Sequence, residues 1–287
     1  MKYFVISLLF VLSSVAFAKK EVKPTEKSQG SATASELSLK FLGMDGCALL
    51  YDMNKKVWLE EFNPERCKRR HAPCSTFKVP LAVMAFDSGT LKDASTLFKW
   101  DKVPRSLDVW NQDHTAQSWM TNSVVWYSQE ITKRMGRKKV QEYLTKFDYG
   151  NKDFSGGLQD AWLTPAPFSK NVKTSVLISA YEQISFLEKL WNQQLPVSEH
   201  AMKTTKEILL LETSPSGAKL YGKTGSGYVD FKQNKRLGWF IAVVEKGSER
   251  YLGVVTYNDL DPQKEPAFAS GPAKKILKEI LAEKGLF

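Results

Sequence analysis

The chain has 287 residues, 43% of them hydrophobic and 25% charged, with a formal net charge of +10. A chain of this length and apolar content can bury a full core without disulfide staples, which excludes a small cross-linked scaffold. The positive balance invites a nucleic-acid reading. The basic residues, however, are interspersed with acidic ones apart from short clusters such as Arg66-Cys67-Lys68-Arg69-Arg70. We therefore assign the charge to a solvated surface with no nucleic-acid partner, where it helps attract a small anionic substrate.

In chain order, Met1-Lys2 precedes a mostly apolar run from Tyr3 to Leu12 and the small-residue pattern Ala16-Phe17-Ala18. This reads as a secretory signal peptide over residues 1–18, so the protein is expected to cross the inner membrane and reside in the periplasm. Ser13, Ser14 and Lys19-Lys20 cut the run short of the roughly 20 residues a membrane span needs, so no stable membrane insertion is expected. Residues 19–38 are polar and nearly free of large apolar side chains, and are expected to be a disordered leader.

From Cys47 the pattern predicts strand, turn and strand. Ser75–Phe86 predicts a helix closed by Ser88-Gly89, with Val79, Ala82, Val83 and Phe86 at helical spacing. Further helices are predicted around Ser123–Met135, Lys138–Phe147, Val176–Leu195 and Ala273–Glu283. Strands are predicted at Lys219–Tyr221, Leu237–Val244 and Tyr251–Tyr257. This is an α/β arrangement: a sheet part at about 39–98 and 216–287, with a mostly helical part at about 99–215 inserted between. Three cysteines, Cys47, Cys67 and Cys74, permit one disulfide at most; the sequence leaves the pairing open.

Ser75-Thr76-Phe77-Lys78 places a serine and a lysine about one helical turn apart, on one face. A serine hydroxyl needs a base to become a nucleophile, and a lysine serves only if desolvation or neighbouring charge removes its proton. The helix N-terminus adds free backbone N–H groups at the reacting site. Ser216-Gly217-Ala218-Lys219 repeats the pattern, but Pro215 and Gly217 make it a turn. Lys223-Thr224-Gly225, followed by Ser226 and Gly227, supplies a cation and hydroxyl for a carboxylate, and glycines that let a substrate approach the strand. Ser123-Val124-Val125 offers a hydroxyl for proton relay, or simply a helix cap. Tyr149-Gly150-Asn151, leading to Gly156-Gly157 and Trp162, reads as a turn with a packed indole.

Taken together and in this order, Ser75–Lys78, Ser123–Val125, Tyr149–Asn151 and Lys223–Gly225 resemble the signatures of the class D (oxacillinase-type) serine β-lactamases. Lys99-Trp100-Asp101 and Gly238-Trp239-Phe240 extend the likeness from about Cys47 to Phe287. The resemblance implies the serine β-lactamase and penicillin-binding-protein fold, an antiparallel sheet flanked by helices, with residues 39–287 as the β-lactamase domain. It implies a β-lactam substrate opened through a Ser75 acyl-enzyme. It also implies that carbon dioxide carbamylates Lys78 with Trp162 as donor, and no other cofactor or metal. Ser123 would relay a proton, Lys223, Thr224, Gly225 and Val125 would bind substrate, and the N–H groups of Ser75 and Ser226 would form the oxyanion hole. One departure stands out: the stretch Glu265–Gly271 lacks the arginine that many members place before the last helix, so carboxylate binding falls to Lys223, Thr224 and Ser226. Homodimer formation is left open.

Other constellations are weaker. A class A β-lactamase would carry S-D-N and a separate glutamate; Glu188 imitates the latter but falls on an amphipathic helix. A cysteine hydrolase built on Cys74 and His71 has no further partner for the histidine. A metal site from His71, Cys74, His114 and His200 fits no zinc spacing. A transpeptidase or carboxypeptidase, or a sensor that stays acylated, would share the fold, and the deacylation rate separates them from a β-lactamase.

Overall fold

A computed structural model describes residues 36–167, 169–264 and 268–287. The signal peptide and residues 19–35 of the leader lie outside the described residues. Residues 36–38, assigned above to the leader, are instead part of a helical turn over 36–40. Leu37 is buried there with Phe41, and that burial orders the segment.

The strands are β1 (Met44–Asp52), β2 (Val57–Phe62), β3 (Leu97–Phe98), β4 (His114–Thr115), β5 (Leu210–Thr213), β6 (Lys219–Asp230), β7 (Lys235–Lys246) and β8 (Glu249–Asp259). The α-helices after the first turn are α1 (Pro64–Cys67), α2 (Lys78–Asp87), α3 (Ala116–Thr121), α4 (Val125–Met135), α5 (Arg137–Phe147), α6 (Ala180–Trp191), α7 (Glu199–Ile208) and α8 (Ser270–Glu283). Six strands form one antiparallel sheet in the order β2-β1-β8-β7-β6-β5, and β3 pairs with β4 apart from it.

The sheet separates two cores. On one face α8, through Leu277, packs with the 36–40 turn over Leu50, Phe240 and Val255. Lys40 links the turn to the helix through Glu279 and Glu283. On the other face lies a larger core that takes in α2 through α7. Helix α2 is apolar all round and buried along nearly its whole length, as a helix at the centre of a domain must be. It packs on α4 and α7.

Several elements depart from their expected bounds. Chain 74–77 is a 3-10 turn and the α-helix begins only at Lys78. Pro80 explains this: it has no N–H to give Thr76, so it is tolerated only in the first turn of the helix. Strand β5 falls within the span expected to be helical, and α2 falls within the span assigned to the sheet part. The helix expected over Val176–Leu195 is confined to Ala180–Trp191. Its start is set by a capping box in which Ser179 and Glu182 each take the other's backbone N–H. The cysteine question is settled: Cys47 on β1 is bonded to Cys67 at the end of α1, with the Cα atoms 5.5 Å apart, and Cys74 is free. A bridge closing a loop of this size stabilises by about 3 kcal/mol, through the entropy it removes from the unfolded chain.

Candidate active site

Ser75 stands in the 3-10 turn, after Cys74 at φ 50. The strained turn is held from three sides. Cys74 N–H donates to the Trp162 carbonyl at 3.0 Å and Thr76 N–H to that of Pro73 at 3.1 Å. The Thr76 hydroxyl also donates to Pro73 O at 2.7 Å and accepts from Gln183 Nε2 at 2.9 Å. Lys78, the first residue of α2, puts Nζ 3.1 Å from Ser75 Oγ. It is wholly buried. Burial first, and the charge of nearby Lys223 second, hold its pKa well below the ordinary 10.5. A neutral amine has a lone pair, so it can accept the Ser75 proton.

Strand β6 supplies the opposite wall. It pairs with β5 over Lys219–Tyr221 and with β7 along its length, so from Lys223 onward its outer edge has no strand partner among the described residues. The Cys74–Phe77 turn that carries Ser75 lies against that edge. A Cβ on Gly225 would come within 2.9 Å of Pro73 O and 3.3 Å of Thr76 N, which is why glycine is needed here. Lys223 is buried, its Nζ donating to the Thr224 carbonyl at 3.2 Å and to its Oγ1 at 3.3 Å. Burial, then the charge of Lys274, lowers its pKa to about 7. Ser226 Oγ accepts from Ser270 N–H at 3.0 Å, tying the edge to the start of α8. Residues 265–267, in the stretch that lacks the arginine, lie outside the described residues.

Ser123 is not the N-cap of the helix that follows it. Helix α4 starts at Val125 with Val124 as its N-cap, and Ser123 occupies the turn before it at φ 56. Val125 is half-buried at the helix start. Trp162 is fully buried and stacked on Phe77 with ring centroids 5.2 Å apart, and its Nε1–H has no acceptor among the described residues. A buried donor of this kind is costly unless something accepts from it. Together with the buried Lys78 amine, whose pKa burial lowers, it fits a carbamate on that lysine.

The Tyr149-Gly150-Asn151 turn is structural. Asn151 donates to Ser175 O at 2.7 Å and accepts from Leu177 N–H at 3.0 Å, and Gly150 lies so close to Leu177 O that no Cβ fits. Buried Tyr149 lies beside Gln183 and Thr76, behind the Cys74–Phe77 turn. The second S-x-x-K is a turn: Gly217 has φ 82 and Ser216 Oγ meets Ser214 Oγ at 2.8 Å.

Cys74 is no nucleophile, because burial pushes its thiol up to about 12. Burial and the charges of Arg66 and Arg69 take His71 down to about 4. His114 is engaged by Ser118 and Val109, and His200 by Lys92. Glu188 lies beside Tyr51 on α6. Two contributors escape sequence reasoning. Thr164 accepts from Tyr228 N–H on the β6 edge at 2.9 Å, and nothing in its local pattern marks it. Gln183 does leave a trace: it is a polar residue on the apolar face of α6, amid Ala180, Ile184 and Leu187.

Residues 41–282 match the penicillin-binding protein transpeptidase domain. The chain is 43% identical over 233 residues to β-lactamase OXA-1 of Escherichia coli, covering 78% of this chain and 79% of that one. It is 33% identical over 263 residues to β-lactamase OXA-2 of Salmonella typhimurium, covering 90% and 87%. Among solved structures, class D β-lactamase BAT-2 superposes with a TM-score of 0.75 at 32% identity, over 88% of this chain and 98% of that one. The C-terminal domain of the Bacillus licheniformis BlaR penicillin-receptor gives 0.78 at 29%, over 88% and 95%. The fold is thus shared with enzymes and a receptor, and it is the identity to OXA-type enzymes across most of the chain that assigns this one: it belongs to the class D β-lactamases, serine hydrolases of the penicillin-binding-protein fold.

Proposed function

We propose that the protein opens β-lactams by transferring the acyl group to Ser75 and then to water, with the Lys78 side chain as base in both steps. The observation that carries this reading is the 3.1 Å approach of Nζ to Oγ at an amine whose pKa burial holds well below its ordinary value. Ser75 Oγ attacks the lactam carbonyl as its proton passes to the Lys78 side chain. The N–H groups of Ser75 and Ser226 face the developing oxyanion; losing one such donor costs about 2.7–4 kcal/mol of transition-state stabilisation. Ser123 hands a proton to the departing nitrogen. Lys223 and Thr224 take the substrate carboxylate, and Gly225 and Val125 border it. Lys78 and Trp162 would hold a carbamate formed from carbon dioxide, which supplies a stronger anionic base than the amine alone. The enzyme is exported to the periplasm by residues 1–18. It works without a metal and without nucleic acid, and no helix among the described residues is long and apolar enough to cross a membrane.

The likeness to the BlaR receptor domain favours a second reading, a sensor that stays acylated. Intact-protein mass spectrometry after mixing with benzylpenicillin separates the two. Return to the free mass within seconds is expected of the hydrolase, whereas a lasting adduct overturns that reading.

Lys223 must be charged to bind a carboxylate, yet its pKa in the free protein is about 7. Capture of substrate, measured as kcat/KM, should therefore fall as the pH rises above neutral. Lys223→Ala should abolish that alkaline limb and weaken capture by the roughly 2–5 kcal/mol of a lost buried charge partner. It should also move the acid limb to higher pH, since the Lys223 charge is one of the two causes depressing Lys78. An unchanged alkaline limb in the variant would assign carboxylate binding to another group.

A further inference from the structure

Ser123 holds a left-handed backbone conformation, φ 56, that a serine rarely adopts unless its surroundings impose it. One bond across it is local, Val124 N–H to the Trp119 carbonyl at 3.1 Å, which closes the end of α3; the contacts from elsewhere in the chain converge on one short 3-10 turn, Asp108–Trp110. The Trp110 indole N–H donates to the carbonyl of Asn122, the residue before Ser123, at 2.9 Å. The helices on both sides of Ser123 grip that same 3-10 turn. From α4, Trp126 Nε1–H donates to the Trp110 carbonyl at 2.8 Å. From the α3 side, His114 Nε2 bonds the Val109 carbonyl at 2.9 Å while its Nδ1 meets Ser118 Oγ on α3 at 3.0 Å. His114 and Trp126 are buried, so these bonds face little competition from water.

We propose that Trp110 is a positioning residue for the hydrolysis, holding Ser123 in its left-handed conformation through the indole N–H to Asn122 O. The inference rests on the reading of Ser123 as the proton relay. A hydroxyl on a relaxed turn samples other directions, so loosening the turn lowers the fraction of molecules ready to pass the proton. Trp110 also donates its backbone N–H to Leu107 O at 2.9 Å and packs, half-buried, against the larger core.

The test is a double-mutant cycle of Trp110→Phe and Ser123→Ala, read as single-turnover acylation by nitrocefin, with melting curves to confirm folding. Phenylalanine keeps a ring but removes the N–H. Trp110→Phe should slow acylation by about tenfold, the effect of one lost hydrogen bond, in the presence of Ser123. In the Ser123→Ala background it should slow acylation by less than about twofold, because residues that act through one another are not additive. Equal losses in the two backgrounds overturn the positioning role and leave the relay reading intact. No loss on Ser123→Ala alone overturns the relay reading and the proposal with it. If Trp110→Phe melts below the assay temperature, Trp126→Phe, which removes the N–H that grips Trp110, goes through the same cycle, and the same two results overturn the positioning role or the relay.

Discussion

Ser75→Ala is expected to form no acyl-enzyme and to lose on the order of 10⁴–10⁶ in kcat, the range seen when a covalent nucleophile is removed. Geometry singles this residue out. Ser75 is the serine whose Oγ lies 3.1 Å from a buried lysine, in a turn pressed against the edge of β6. Ser216 shares the S-x-x-K spacing, but it sits at a turn and meets Ser214 rather than an amine. Ser216→Ala should therefore retain near-full hydrolysis. Intact mass after mixing with penicillin and steady-state nitrocefin turnover check both variants. A penicillin adduct on the Ser75→Ala protein would sink the assignment.

Lys78→Ala should come close to the same loss, about 10³-fold or more, since the serine then has no base. The pH dependence is the sharper test. The folded-state pKa of Lys78 lies below 10.5, so the amine is neutral above that lowered value and charged beneath it. Activity should fall as the pH drops and the amine is protonated. Added bicarbonate should restore part of it in the wild type if a carbamate forms, should do nothing for Lys78→Ala, and should be needed at higher concentration for Trp162→Ala. Degassed enzyme with full activity at low pH, indifferent to bicarbonate, would mean that Lys78 acts as a plain amine.

Linkage gives an independent check through stability. Between the lowered pKa and 10.5 the unfolded chain binds a proton that the folded chain does not, so an unmodified Lys78 opposes folding there. That opposition fades as the pH rises toward 10.5. Lys78→Met, of similar shape and without the amine, should melt higher than degassed wild type at neutral pH, with the gap narrowing in alkali. A lower melting point at neutral pH would show that the lysine is not held neutral by burial.

The site was legible where its chemistry is local. Ser75 and Lys78 lie one turn apart in sequence and in space, and Lys223–Gly225 falls on a strand edge as its glycines suggest. What was hidden depends on tertiary context. Pro80 forbids the helix from starting at Ser75, but only the fold decides that a 3-10 turn fills the gap. The positive φ of Cys74 and Ser123 has no sequence mark, because neither is glycine or asparagine. Strand β6 runs well past Tyr221, its interior weakened on paper by Gly222, Gly225 and Gly227, and it is held by pairing with β7. Nothing local tied Cys47 to Cys67; their partnership follows from α1 folding back onto β1.

The order of strands also bears on how fast the molecule can assemble. Next to β1, near the start of the sheet in sequence, lies β8, near its end, and the two pair along their whole length from Met44–Asp259 to Asp52–Tyr251. Loop-closure entropy must be met before contacts of such high sequence separation reward the chain, so refolding belongs to the slow regime of non-local topologies. The β6 edge proposed to receive substrate is joined to β1 through β7 and β8, so the Cys74–Phe77 turn has no wall to press against until the last strand has closed the sheet. Enzymatic activity should therefore return in a single late kinetic step, after helical signal has already been regained.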